Sequence, residues 1–410
     1  MGDARERSRT LRRIRRRPLP GDPFVVKLLH TSDWHVGKTI RGRDRTDEHR
    51  DVLAEITGIG RERAVDVVIV AGDLFESAAP TPDAERIVYR ALLDLAEVAP
   101  VVVVGGNHDN DRRLTAVEPL LGLGRISTRA MLAKPDEGGV LTLDTAGGER
   151  AQIAMLPWVS QRYIVRAEEL MSKDAFEHAG DYAQRLADVI GWLCKGFEPN
   201  TVNVVAGHAM VAGGVMGGGE RLAHTFFEYC VSATAFPANA HYVALGHLHR
   251  AQQLGSQPPV WYCGSPLQLD FGETEDRKCA LVVEATATTP ANVEQVPLTS
   301  GRRLRKLTGT LDDLQAIAGT TGDDYLRVIV RGDARAGLAE DVRELFGENT
   351  VDVMIQTDAD VQLGLDPRAH ETRAPKELFR EYLAEKKVND ERVLTLFDEL
   401  FEEEHASAPA

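Results

Sequence analysis

The chain has 410 residues, 43% hydrophobic and 27% charged, and a formal net charge of −15. The length predicts two or three domains, and the acidity argues against nucleic-acid binding through a generally basic surface while leaving room for a metal enzyme whose carboxylates await cations. No apolar run approaches the ~20 residues of a membrane span, no apolar stretch follows the N-terminal arginines as in a secretory signal, and Cys194, Cys230, Cys263 and Cys279 lack C-x-x-C spacing, as expected of reduced cytoplasmic thiols.

Met1 to Asp22 hold eight arginines (Arg5, Arg7, Arg9, Arg12, Arg13, Arg15, Arg16, Arg17) but only Leu11, Ile14 and Leu19 as large apolar side chains beyond Met1. Residues 1–24 are therefore expected to be a disordered basic extension. It reads either as an arm for phosphates or, preferably, as an upstream start ahead of Val25 or Val26. Phe24 to Leu29, apolar but for Lys27, predicts a buried strand that ends in His30-Thr31-Ser32-Asp33-Trp34-His35. Arg41, Arg43 and Arg45 follow in a polar loop and read as phosphate contacts or as a solvated loop.

A helix from about Asp47 presents Val52, Leu53 and Ile56 on one face. Val67 to Val70 predicts a central strand ending in Gly72-Asp73. Thr81 can cap, and Pro82 can open, a helix with Ile87, Val88, Ala91, Leu92 and Leu95 on its apolar face. Val101 to Val104 ends in Gly105-Gly106-Asn107-His108-Asp109. Gln152 to Leu156, a helix around Tyr182 to Leu193, Val202 to Val205 before Gly207-His208, and Tyr242 to Leu245 before Gly246-His247-Leu248-His249 continue the alternation. This pattern predicts an α/β fold with polar groups gathered at strand ends. Gly213 to Gly219 lacks the lysine and serine of a phosphate loop and reads as mobile.

A shift to Thr, Ala, Pro and Asn over Thr286 to Thr299 predicts a boundary, placing a first domain at 25–285. Residues 300–366, with strands at Tyr325 to Val330 and Val351 to Ile355 around a helix at Leu338 to Leu345, form a small α+β unit. Residues 375–405 read as a helix pair with stripes of Leu378, Phe379, Tyr382 and Leu383, then Val393, Leu394, Phe397, Leu400 and Phe401. Two short helices behind a linker expose more apolar surface than they can bury together, so they are expected either to fold back on the small α+β unit or, preferably, to dock on a partner.

Five strand ends present Asp33 and His35, Asp73, Asn107 and His108, His208, and His247 and His249. Each has an ordinary explanation alone. Together, at one position relative to their strands, they predict a metal site. Carboxylate oxygen with imidazole nitrogen suits Mn, Fe or Zn. Seven ligands (Asp33, His35, Asp73, Asn107, His208, His247, His249) exceed one ion and suit two that share a bridging carboxylate, the device for phosphoester hydrolysis. His108 is left over and suits an acid at the leaving oxygen.

The order Asp-x-His, Gly-Asp, Gly-Asn-His-Asp, Gly-His, Gly-His-x-His resembles that of the calcineurin-like metallophosphoesterases. The resemblance implies a four-layer α/β/β/α sandwich, followed here by the small α+β unit and the helix pair. It assigns Asp33, His35, Asp73 and His249 to one ion, and Asp73, Asn107, His208 and His247 to the other. The stretches His30 to Lys38, Ala71 to Phe75, Leu245 to Gln252 and Tyr262 to Pro266 are similar, more narrowly, to the nuclease subunits of bacterial DNA-repair complexes. That likeness implies two Mn ions, with Mg or another divalent metal as substitutes. It also implies 3′→5′ exonuclease action on double-stranded DNA, endonuclease action on single strands and hairpins, and a small domain that caps DNA. The expected assembly is a cytoplasmic homodimer within a heterotetramer, joined through residues 375–405 to a coiled-coil ATPase. Archaeal relatives carry histidine where this chain has Glu76, which therefore receives no role. The rival readings are a phosphodiesterase for small molecules, disfavoured by the extra C-terminal units, and a non-catalytic scaffold, disfavoured by the intact ligand set.

Overall fold

Valine-rich runs become strands because both of their faces find apolar cover. The computed structural model describes residues 25–357 apart from 146, 161–163, 165–181, 221–229, 256, 334 and 336, together with 383, 392 and 393. Four parallel strands, β1 (Val26–Thr31), β2 (Val67–Ala71), β3 (Val101–Val104) and β4 (Ile126–Arg129), pair with one another. The second sheet is built from β5 (Val140–Asp144), β6 (Arg150–Leu156), β7 (Val202–His208), β10 (Tyr242–Gly246), β11 (Gln252–Leu254) and β12 (Val260–Tyr262), in the order β11-β12-β10-β7-β6-β5. Between β7 and β10 in sequence, β8 (Met210–Val211) and β9 (Cys230–Val231) form a short parallel pair of their own. The antiparallel β13 (Cys279–Thr286) and β14 (Thr289–Pro297) return to the first sheet and complete its six strands, in the order β14-β13-β1-β2-β3-β4.

The two sheets face each other, and alternate residues divide between two cores. Val67, Ile69, Val102 and Val104 meet Ile153, Met155, Val204 and Ala244 between the sheets. Val68, Val70, Val101 and Val103 pack outward against α1 (Thr46–Arg63), α2 (Pro82–Val98) and α3 (Asp111–Leu123). Val205, Val243 and Leu245 pack outward against α4 (Tyr182–Cys194). The result is the four-layer α/β/β/α sandwich. Thr81 caps α2 as expected, accepting from the Ala84 backbone N–H, and all four cysteines are free and buried.

Two expectations change. The polar segment read as a boundary at Thr286 to Thr299 is instead β14, paired with β13 from Cys279↔Pro297 to Thr286↔Thr289. Its polarity is that of an edge strand with little cover, not of a linker. The small unit that follows has a third strand, β15 (Leu304–Gly309), parallel to β16 (Tyr325–Arg331), which is parallel to β17 (Thr350–Gln356). Its core joins Leu326, Val328 and Val330 to α5 (Leu311–Ala316) and α6 (Leu338–Phe346). The helix pair at 375–405 lies outside the described residues except for Leu383, Arg392 and Val393.

Candidate metal centre

Strands β1, β2 and β3 of one sheet and β7 and β10 of the other deliver their C-terminal loops to a single place. Asp33, His35, Asp73, His208, His247 and His249 are all at most 2% exposed there. Asp33 (φ 51°), His35 (φ 46°), Asp73 (φ 50°) and His247 (φ 110°) adopt positive φ. Such backbone costs about 1–3 kcal/mol per residue and persists where surrounding contacts enforce it. Here the enforcement is visible. The Asp33 N–H donates to Gly72 O and the His35 N–H to Asp73 O, both at 3.0 Å. The His247 N–H donates to Asp33 Oδ1 at 2.9 Å, and the His108 N–H to Asp73 Oδ1 at 2.8 Å. Gly72 is required for close approach, because a Cβ there would run into the His208 ring.

The side chains converge on one another. His35 Nε2 lies 3.1 Å from His249 Nε2, and Asp33, His35 and His249 form one compact ligand group. Asp33, Asp73 and His208 form a second. His208 Nδ1 donates to Ala71 O at 2.8 Å, which turns its Nε2 toward Asn107 Oδ1 at 2.9 Å. The same amide oxygen lies 2.9 Å from His247 Nδ1. Between the two sets, Asp73 Oδ2 stands 3.3 Å from His208 Nε2 and 3.6 Å from His35 Nε2. Donors about 2.1 Å from one octahedral ion stand about 3.0 Å apart at right angles, so these spacings fit shared cations. The donor set fits as well: carboxylate, amide and imidazole groups crowd into common space, and that mix of oxygen and nitrogen donors suits a borderline divalent cation.

Electrostatics agree. Burial opposes charge on His208 and His249, yet Asp73 lifts His208 to about 9, and Glu273 with Glu220 and Asp33 lifts His249 to about 9. Burial also pushes Asp73 up, but His208, His108 and His35 hold it well below the usual carboxylate range. Asp33 is pushed up, chiefly by burial. The buried field of this cluster favours positive charge.

All eight residues expected at the site are brought together. His108 sits at its edge, with Nδ1 against the Glu76 carbonyl oxygen at 2.7 Å and its ring edge-on to His35. Three neighbours were not assigned from sequence. Trp158 stacks on His247, with centroids 5.0 Å apart, while Glu76 and Glu273 receive His35 Nδ1 and His249 Nδ1, each at 3.0 Å. Nothing local separates Glu273 from a surface glutamate, since its partner lies 24 residues away. Gly213 to Gly219 is less a free loop than a wall, for Gly219 backs onto His249 and Glu273.

The arginine loop is in part the solvated loop expected, since Arg41 and Arg43 are exposed, but all three arginines also find protein partners. Arg43 donates to Glu348 O at 2.8 Å and Arg41 pairs with Asp352 at 3.4 Å. Arg45 is buried on Glu48 and Gln268 O. The loop joins the sandwich to the small sheet.

The calcineurin-like phosphoesterase family model matches residues 26–251. The SbcD chain of the Bacillus subtilis nuclease SbcCD is 34% identical over 287 residues, covering 68% of this chain and 72% of that protein. The SbcD chain of Rhodobacter capsulatus is 34% identical over 60% of this chain and 64% of its own length, and that of Escherichia coli K12 is 28% identical over 71% and 73%. Among the described residues no helix is long and apolar enough to cross a membrane.

Proposed function

This chain belongs to the calcineurin-like phosphoesterases, and we propose that within that family it is the nuclease subunit of an SbcC–SbcD complex, a phosphodiesterase that cuts DNA on two manganese ions. One observation carries the two-ion reading: the single carboxylate oxygen Asp73 Oδ2 faces an imidazole of each ligand set, at 3.3 and 3.6 Å. Asp33, His35, Asp73 and His249 would hold one ion, and Asp73, Asn107, His208 and His247 the other. Bound there, the metals supply charge that offsets the pentacovalent phosphate and lowers the pKa of the attacking water.

The protein's own groups do the rest. With Nδ1 committed to the Glu76 carbonyl, His108 keeps Nε2 as its working atom. A proton held on Nε2 passes to the leaving oxygen as the P–O ester bond breaks and the water oxygen bonds to phosphorus. Asp109, half-buried and accepting from the N–H groups of Leu74, Phe75 and Gly106, ties the loops of Asp73 and Asn107 together.

Assembly follows the same reading. Leu93, Leu120 and Leu123 are 46%, 69% and 86% exposed on α2 and α3, an apolar face that suits a second copy of the chain. The net charge of −15 leaves part of the DNA surface to an SbcC-type ATPase partner, which residues 375–405 would engage. The complex would act in the cytoplasm, on the nucleoid.

The test compares a hairpin-bearing DNA duplex with bis-p-nitrophenyl phosphate, with and without Mn, and with and without SbcC and ATP. Manganese-dependent cutting of single strands and hairpins, and 3′→5′ digestion of duplex ends, is the expected result. Hydrolysis confined to the small diester would overturn the nuclease reading. Deleting residues from 375 onward should abolish co-purification with SbcC and spare cleavage of single-stranded DNA.

A further inference from the structure

Two glutamates stand behind the metal centre in the same arrangement. Glu273 receives His249 Nδ1 on Oε1 at 3.0 Å and Lys278 Nζ on Oε2 at 2.7 Å. Glu76 receives His35 Nδ1 on Oε2 at 3.0 Å and Lys38 Nζ on Oε1 at 2.7 Å. In each case one carboxylate oxygen orients an imidazole and the other is neutralised by a lysine. The two imidazoles so held are the pair whose Nε2 atoms meet at 3.1 Å. The other ligand set differs, since His208 Nδ1 rests on the neutral carbonyl of Ala71.

We propose that Glu273 and Glu76 are positioning residues for one of the two metal sites: they keep the Nδ1 proton on His249 and His35, so that both Nε2 lone pairs face the ion. The inference rests on the two-metal reading above. A carboxylate can only accept, so the imidazole must present N–H at Nδ1. Its charge also raises the basicity of the ligating nitrogen. The paired lysines keep each glutamate from becoming a ligand itself. The group of His35, Glu76 and His108 is near enough to hold an ion, but it lies on the Nδ1 side of both rings, where hydrogen bonds already occupy the nitrogens.

The two relays are not equally protected. Glu273 and Lys278 are 0% and 8% exposed, against 29% and 27% for Glu76 and Lys38. Gly219 closes over the buried relay, since a Cβ there would lie 2.6 Å from Glu273 Oε1 and 2.8 Å from His249 Nδ1. Lys278 also donates to His249 O and Ser265 Oγ, each at 2.9 Å, which pins the loop as well as the ring.

The lysines make the test specific. In Glu273→Gln the amide oxygen turns to Lys278 and its NH2 to His249 Nδ1, which drives the proton onto Nε2 and blocks the ligand. At Glu273 the Leu269 N–H, 3.0 Å from Oε2, would hold the amide oxygen there even without the lysine. The rescue is therefore read at the other relay, where removing Lys38 in Glu76→Gln/Lys38→Met lets the amide accept from His35 Nδ1 again. Calorimetric titration of the full chain with Mn should show two binding events in the wild type. One should weaken about 10–100-fold in Glu273→Gln and in Glu76→Gln, while the other stays put and Glu76→Gln/Lys38→Met recovers part of the loss. Nitrogen-15 spectra of histidine-labelled protein should show the matching tautomer change at His249. If Glu273→Gln does not fold, Glu76→Gln and Glu76→Gln/Lys38→Met carry the same measurement at the half-exposed relay. Unchanged Mn affinity in the single variants, or no recovery in Glu76→Gln/Lys38→Met, would overturn the proposal. A wild-type chain that binds no Mn would instead overturn the two-metal reading beneath it.

Discussion

The sandwich and the small C-terminal sheet share a plan: parallel strands, connecting helices, and polar loops. They use their polar groups in opposite ways. Around the sandwich's strand ends, ligand-type groups converge on one another, as in His35 Nε2 against His249 Nε2 and Asn107 Oδ1 against two imidazoles. In the small sheet each named charge meets its opposite: Arg327 pairs with Asp352 at 2.7 Å while its guanidinium lies over the Phe271 ring, and Arg305 pairs with Asp324 at 2.6 Å. Converging carboxylate, amide and imidazole groups suit a shared cation, whereas the paired charges of the small sheet leave no such opening. Chemistry belongs to the first arrangement and docking to the second.

The strongest way to break this contrast is Asp73→Asn, which removes charge where both ligand sets meet. Cleavage of bis-p-nitrophenyl phosphate should fall by orders of magnitude with the circular dichroism spectrum unchanged. A wild-type rate would remove Asp73 from the centre. Next in size, His108→Ser should lower turnover about 10²–10⁴-fold and leave Mn binding nearly intact, whereas His208→Ser should lose one of two Mn ions by calorimetry. Equal metal loss in both would make His108 a ligand instead of an acid.

Leu326→Ala probes the other side of the contrast. Leu326 is fully buried in the small sheet, and its truncation should cost about 2–5 kcal/mol of stability. Hydrolysis of the small diester should survive while action on duplex DNA weakens. Loss of both activities together would show that the centre depends on the small sheet's fold.

A gentler probe is pH. Burial holds His30 down at about 3 and His49 down at about 4, below the ordinary imidazole value of 6.5. The unfolded chain therefore binds protons first as pH falls, so the stability these neutral histidines contribute is full above pH 6.5 and lost progressively toward pH 4. The slope should reach about 1.4 kcal/mol per pH unit for each histidine, read by denaturant unfolding in metal-free buffer. Residues 301–357 contain no histidine, so probes in the small sheet should report no such imidazole-driven loss. His49→Gln should flatten the sandwich's response, and an unchanged slope would take His49 out of the account.

What the sequence by itself determined is local. Apolar runs such as Val101 to Val104 announce strands buried on both faces, Thr81-Pro82 announces a helix start, and ligand types recurring just past five strands announce one shared centre, because in an α/β sheet those positions must lie together. Beyond such signals the fold takes over. That Arg41 and Arg43 stay exposed yet reach the small sheet, while Arg45 is buried on Gln268, was decided only in three dimensions, as the 305-residue span from Arg43 to Glu348 illustrates. The same holds for β14, whose polar sequence forms a strand only because β13 offers it an edge. It holds also for Glu273, an ordinary glutamate until the fold seals it between Lys278 and His249. Periodicity and capping are properties of neighbours along the chain, while the partner that gives a charge its purpose is supplied by whichever distant segment the packing brings beside it.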